Sequence, residues 1–161
     1  MANTSQIRLK LDGFEELRLT ILKLPLQLQN RAEASVLRAG GVPIRKAAKR
    51  YAKASKDSGL LMKSIGLNVK KIKGVYTVRV GPRNGFTGPP KQVKDRKTGN
   101  MKTIVPNPVF YAHLVEGGTS RTAAKPFMRP AIDSAQGEVI EAMGKGLEKH
   151  LDRLVKSMFK K

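Results

Sequence analysis

A short strand and an amphipathic helix are predicted from the spacing of apolar residues near the N-terminus. In residues 5–11, apolar and basic side chains alternate, which is the period of a half-buried strand. The next apolar positions step by three or four residues and so lie along one helical face; they are Phe14, Leu17, Ile21, Leu24 and Leu28. Pro25 lacks a backbone donor, so we expect it to break or kink this helix.

A second helix is predicted over residues 26–56, with an interruption near Gly40, Gly41 and Pro43. Its inward face is formed by Val36, Leu37, Ile44, Ala47, Ala48, Tyr51 and Ala52. After Gly59 the apolar period changes to two, first in residues 65–69 and again in residues 75–80. The pair Lys73-Gly74 separates these runs, which predicts a β-hairpin over residues 64–81.

Residues 83–108 form a segment rich in Gly, Pro, Lys and Asn, called here the basic arm. A loop of this length inside a compact domain is usually functional or disordered. Residues 95–99 read as a hairpin tip, so the segment is either an extended loop or a β-arm. We expect it to contact a neighbouring subunit or partner through Lys91, Lys94, Arg96, Lys97 and Lys102.

A long C-terminal helix is predicted over residues 130–159. Its apolar seam consists of Ile132, Ala135, Val139, Met143, Leu147, Leu151, Leu154 and Met158. Such a helix is longer than one face of a small domain usually needs, so Leu147, Leu151 and Leu154 are candidate subunit contacts. The alternative is that the whole seam covers the domain's own sheet. Together the patterns predict a single α+β domain over residues 1–161, with a small antiparallel sheet packed against the N-terminal helices and this helix.

Between the basic arm and the last helix lies a joint, residues 111–130, with the sequence YAHLVEGGTSRTAAKPFMRP. The pair Gly117-Gly118 permits an abrupt helix end, and Pro130 suits the first turn of a new helix. Glu116 and Arg129 lie at the two ends of the intervening loop, and we expect them to pair. The candidate structural residues of the joint are Tyr111, Val115, Glu116, Gly117, Phe127 and Arg129.

Charge is concentrated in the middle of the chain. The sequence has 32 Lys and Arg against 12 Asp and Glu, a net charge of +20. Residues 42–102 hold 17 of the basic and 2 of the acidic residues. Arg45, Lys49 and Lys53, continued by Lys56, form one helical stripe with no acidic residue between Glu33 and Asp57 to relieve repulsion. This basic surface fits nucleic acid or an acidic protein ring, or it is simply a solvated, self-repelling face.

Catalytic and cofactor motifs are missing from the sequence. With no cysteine, neither a disulfide nor a cysteine metal site can form. The two histidines, His113 and His150, lie in different predicted elements, and no cluster has metal-ligand spacing. Neither a nucleophile elbow nor a phosphate loop is present. We therefore expect no enzyme activity, no cofactor and no metal; the apolar runs are also too short for a membrane span.

Three short sequence motifs occur in this order along the chain: SGLLMKSI at residues 58–65, YAHLVEGGT at residues 111–119 and PFMRPA at residues 126–131. In these motifs the chain resembles the tail-completion, or head-to-tail joining, family of long-tailed bacteriophages and prophages. The resemblance implies a structural virion protein of the phage neck, assembled in the host cytoplasm. It further implies a homo-oligomeric ring, expected to be a hexamer, that joins the head-closure or connector protein to the tail terminator or tail tube. DNA in the channel is a further possible partner.

An alternative function rests on charge alone. A basic nucleic-acid-binding protein acting without ring assembly would also carry a net charge of +20. No RNA-binding aromatic signature or helix-turn-helix spacing supports it, and the eight Phe and Tyr residues are scattered along the chain.

Overall fold

A computed structural model of the chain describes residues 13–53 and 59–158. The elements in chain order are α1 (Phe14–Leu22), α2 (Leu26–Lys53), α3 (Leu60–Ser64), β1 (Ile65–Ile72), β2 (Val75–Pro82), β3 (Lys91–Lys94), β4 (Met101–Ile104), α4 (Pro108–Gly117) and α5 (Met128–Met158). The fold is α+β, as predicted, with N-terminal helices, two small antiparallel sheets and a long C-terminal helix. The predicted strand at residues 5–11 and the predicted helix ends at 54–56 and 159 lie outside the described residues.

The first two helices are separated at Pro25, as predicted, because α1 ends at Leu22 and α2 begins at Leu26. The predicted interruption of α2 is wrong. The helix runs without a break through Gly40, Gly41 and Pro43. Its continuity has a packing reason, since the two glycines let neighbouring elements approach α2 closely on two sides.

Helix α2 lies between α5 and the β1–β2 sheet. A Cβ added at Gly40 would lie 2.7 Å from Met143 Cγ of α5. At the adjacent Gly41, a Cβ would overlap Leu67 of β1 and lie 3.0 Å from Val78 Cγ1 of β2. The seam of α5 therefore packs on α2, and the alternative that it covers the sheet is wrong.

The hydrophobic core lies where these layers meet. Its largest fully buried side chains include Val36 of α2, Ile65 of β1, Phe127 before α5 and Val139 of α5. The predicted inward face of α2 is confirmed: Val36, Ala47, Ala48 and Ala52 are buried, and Leu37, Ile44 and Tyr51 pack against the core half-buried. Because its members are apolar side chains removed from water, apolar burial is the main stabilising contribution of this core.

The predicted hairpin is confirmed in β1 and β2, which pair antiparallel from Ile65 opposite Pro82 to Ile72 opposite Val75. Lys73 and Gly74 form the two-residue turn, with φ of 50° and 83°. Positive φ at both positions matches the twist of the flanking strands and explains the glycine.

A second hairpin occupies the middle of the basic arm. Strands β3 and β4 pair antiparallel, with Lys91 opposite Ile104 and Lys94 opposite Met101. At the tip, the Asp95 N–H donates to the Asn100 carbonyl over 2.8 Å. Of the two forms expected for this segment, the β-arm is therefore the one adopted; residues 91–104 are called here the arm hairpin.

Candidate functional site

Glu116 connects the two helices of the joint through hydrogen bonds to the backbone. Its side chain lies near the end of α4, and its carboxylate accepts from the N–H groups of Phe127 at 2.8 Å, Met128 at 2.9 Å and Arg129 at 3.1 Å. These N–H groups lie at the start of α5, where a helix has no internal acceptors for them. The helix dipole also favours a negative charge there. Glu116 is therefore an N-terminal cap supplied by a different helix.

Glu116 and Arg129 pair, as expected, through a hydrogen bond and not through an ion pair. The two residues are close, but the bond joins the carboxylate to the Arg129 backbone N–H, not to its guanidinium. Within residues 13–53 and 59–158, the ion pairs are Glu15 with Arg18 and Glu141 with Lys145. Capping three N–H groups satisfies the carboxylate, and the exposed Arg129 side chain stays at the surface.

Of the Gly117-Gly118 pair that predicts the helix end, the joint requires glycine at Gly118 and not at Gly117. Gly118 has φ of 75°, and its N–H donates to the Leu114 carbonyl over 2.8 Å to end α4. A Cβ there would lie 2.8 Å from the backbone nitrogen of Ala124. Gly117 is still helical, and a Cβ on it would meet nothing within 4 Å.

The other predicted joint residues meet in the core. Phe127 is 2 % exposed, and Tyr111 and Val115 pack half-buried against the same core cluster. The Lys125 N–H donates to the Val115 carbonyl over 2.8 Å, which folds the connecting loop back onto α4. The joint therefore fixes the direction in which α5 leaves α4.

The basic stripe on α2 is a surface feature. Arg45 and Lys49 are half-buried and Lys53 is exposed, while Lys56 lies outside the described residues. The neighbouring Lys46 and Arg50 line an open cleft between α2 and α5. Glu138 of α5 also lines this cleft. A helix face rich in positive charge attracts an anionic surface.

The arm hairpin extends away from the core. All eight residues of β3 and β4 are exposed, including the predicted contact residues Lys91, Lys94 and Lys102. Arg96 and Lys97 lie in its exposed tip. At its base, the Gly88 N–H donates to the Pro106 carbonyl over 2.8 Å, which brings the two ends of the arm together.

The three leucines predicted as subunit contacts on α5 differ in burial. Leu147 is 5 % exposed in the core of its own chain, which leaves little of its side chain for a contact with another subunit. The physical reason is that Gly146, beside it, allows α5 to approach Ala39 of α2. Leu151 is half-buried against the core and Leu154 is half-buried as well. Contact of these two leucines with another chain stays a prediction.

An exposed apolar surface on α4 was missed. Phe110 is 74 % exposed and Leu114, one turn later, is 44 % exposed. The opposite side of α4 contributes Ala112 to the core. The sequence signal was available: most of the ten residues of PVFYAHLVEG are apolar, more than one buried face of a short helix can take up.

The described residues were also searched for clusters of His, Asp and Glu side chains that could serve catalysis or metal binding. Within the described residues, no group of three or more His, Asp or Glu side chains could hold a metal ion. His113 is exposed on α4, and His150 lies on α5. Over the same residues, no helix combines the length and apolar character needed to cross a bilayer. The geometry offers two exposed surfaces for binding, a cationic hairpin and an apolar patch.

A comparison with known families adds the deciding observation. The sequence model of one family, described as "Bacteriophage HK97-gp10, putative tail-component", matches residues 15–118, well over half of the chain. The chain belongs to the HK97-gp10-like family. Searches of curated proteins and of solved structures gave no match.

The HK97-gp10-like match ends at a structural boundary. It begins in α1 and stops at Gly118, the residue that terminates α4. It therefore includes the basic arm and Glu116, while the capped helix α5 lies beyond it. The three sequence motifs and the family match both indicate a phage tail component.

Proposed function

We propose that this chain is a structural protein of the phage neck, whose subunits form a ring joining the head connector to the tail. The match of residues 15–118 to the HK97-gp10-like family carries the proposal. The protein would act by association in the virion, after assembly in the host cytoplasm, and would not convert a substrate. Its partners would be copies of itself, the head-closure or connector protein and the tail terminator or tube, with DNA in the channel.

The exposed apolar surface on α4 supports association with other protein chains. Phe110 and Leu114 place two large apolar side chains side by side in water, and such patches mark protein contacts. Leu19 and Leu22 of α1 are also 58 % and 50 % exposed. A closed ring needs two different complementary surfaces on each subunit, and α4 and α1 provide two candidates.

Measuring the mass of the purified protein by light scattering, with and without the partner ring, tests ring formation. The expected result is an oligomer, most simply a hexamer, at about 0.15 M salt. At this salt concentration, charges on neighbouring subunits repel each other only within about 8 Å. Phe110→Asp places a charge in the α4 surface and should shift the population to monomers. Gln136→Asp, at an exposed position of α5, is the matched control and should assemble normally.

Mass spectrometry of purified virions tests the location directly. Finding the chain in stoichiometric amounts supports the neck assignment. A chain absent from virions, monomeric in every condition and shifting duplex DNA with a steep salt dependence would instead favour the nucleic-acid-binding alternative.

A further inference from the structure

One face of the arm hairpin combines aliphatic and cationic side chains. In the antiparallel register, Lys91 lies opposite Ile104 and Val93 opposite Lys102. Alternate residues of a strand share a face, so these four side chains project from the same side. Val93 is 44 % exposed and Ile104 is 42 % exposed. This surface, called here the Val93 face, has its apolar groups on one diagonal and its ammonium groups on the other.

The chain leaves the Val93 face open to solvent. All residues of β3 and β4 are exposed, and the backbone bond from Gly88 to Pro106 closes the base of the arm. A two-stranded hairpin with both faces in water is at best marginally stable. Its free edges also offer unpaired backbone groups to another chain. A covering surface would supply the apolar burial that the hairpin lacks.

A second copy of this chain is a poor match for that covering surface. Each copy carries 32 Lys and Arg against 12 Asp and Glu, so its surface offers few carboxylates to a cationic hairpin. Several of the carboxylates already have partners within the chain: Glu15 binds Arg18, Glu141 binds Lys145, and Glu116 caps α5. Charge complementarity therefore points to a different, acidic partner.

Nucleic acid matches only half of the Val93 face. Phosphates would neutralise Lys91 and Lys102, but they offer no apolar surface to Val93 and Ile104. Residues 91–104 contain no aromatic side chain on which a base could stack. An acidic protein surface with an apolar patch offers carboxylates to the two lysines and apolar contact to the two aliphatic side chains.

We propose that the Val93 face docks on an acidic surface of a different protein, with carboxylates facing Lys91 and Lys102 and apolar side chains covering Val93 and Ile104. The proposal rests on the proposed function in one respect, since it places the partner among the proteins of the same virion. It adds to that function the chemistry of the partner and the face that binds it.

Site-specific photo-crosslinking in cells that assemble the particle tests this docking. Benzoylphenylalanine replaces Val93 in one variant and Val75, a 66 % exposed residue of β2, in the control. The Val93 probe should crosslink to a different protein through an acidic peptide, identified by mass spectrometry, and the Val75 probe should not. Adding Lys91→Gln and Lys102→Gln should lower the Val93 crosslink yield about three- to ten-fold, the effect of losing two exposed ion pairs.

A matched charge change elsewhere on the chain separates docking from bulk electrostatics. Lys63 of α3 and Lys70 of β1 are exposed basic residues outside the arm hairpin. Lys63→Gln with Lys70→Gln removes the same charge and should leave the Val93 yield nearly unchanged. All variants should unfold at the wild-type urea concentration, because every altered side chain is exposed.

Three outcomes would overturn the docking proposal: a Val93 crosslink to a copy of the chain or to DNA, equal losses in both double variants, or no protein crosslink in assembling cells. The neck assignment is scored separately by the presence of the chain in purified virions. A chain missing from virions that still crosslinks to an acidic protein would refute the neck assignment and uphold the docking.

Discussion

His150 places a titratable ring near two cationic side chains on α5 and α2. Its Nε2 is buried and has no hydrogen-bond partner within the part of the chain that the structure describes. Burial lowers the pKa of His150, and the positive charges of Arg153 and Arg31 act in the same direction. The folded protein therefore favours the neutral ring more strongly than the unfolded chain does.

Acidification should cost folding stability through this residue. A histidine whose pKa is lowered on folding contributes stability above its unfolded pKa of about 6.5, and that contribution is lost as the pH falls toward the folded value. The free energy of unfolding should thus fall more between pH 7.5 and 5.5 for the wild type than for His150→Leu, in urea titrations. His113→Leu alters an exposed histidine and serves as the control. A wild-type pH dependence identical to that of His150→Leu would contradict this expectation.

Glu116 is the second residue whose role can be measured. Glu116→Ala would leave three N–H groups at the start of α5 without their acceptor. We expect a loss of about 1–2 kcal/mol in the free energy of unfolding, the usual cost of removing an N-cap. Glu116→Gln keeps one acceptor oxygen and should lose less.

Glu138→Ala is the control for Glu116, because it removes an exposed carboxylate from α5 well past the first turn. It should change the free energy of unfolding by less than about 0.5 kcal/mol. Equal effects of Glu116→Ala and Glu138→Ala would show that the cap contributes nothing.

Two glycines of α5 make the packing of whole elements testable. At Gly144 an added Cβ meets nothing within 4 Å, whereas at Gly146 it would lie 2.5 Å from Ala39 Cβ of α2. Gly144→Ala should therefore stabilise the fold by about 0.5–1 kcal/mol through helix propensity. Gly146→Ala has the same propensity gain, but it should destabilise by about 1–3 kcal/mol because α2 and α5 must separate.

The free energies of unfolding of the two variants are measured by chemical denaturation. Each variant is the control for the other, because the same substitution is made at two positions of one helix, two residues apart. Opposite signs are the expected result. If both variants gained stability, the close approach of α5 to α2 at Ala39 would be in doubt.

At the scale of the molecule, the sequence predicted those features that depend on local periodicity. The hairpin at Lys73-Gly74, the α5 seam and the arm hairpin all follow from spacing and turn chemistry. The continuity of α2 could not be predicted, because glycine and proline in isolation favour a break. The neighbours pressed against Gly40 and Gly41 give these two glycines a packing reason within the helix.

The candidate site was predicted only in part, because some of its contacts depend on where other elements lie in three dimensions. Residue types and order placed Glu116 at the joint, but an acidic residue at a helix end suggests an ion pair as readily as a cap. Its true acceptor role depends on where the start of α5 lies in three dimensions. Burial of Leu147 depends likewise on the approach of α2, which no spacing within α5 encodes.

The backbone hydrogen bond from Gly88 to Pro106 has a consequence for how the sequence of this protein can vary. Because the two ends of the projecting ribbon meet there, residues between them can be shortened, lengthened or exchanged with little disturbance to the packed interior. Sequence changes within the ribbon are thus expected to alter what it can bind more than how the framework beneath it folds.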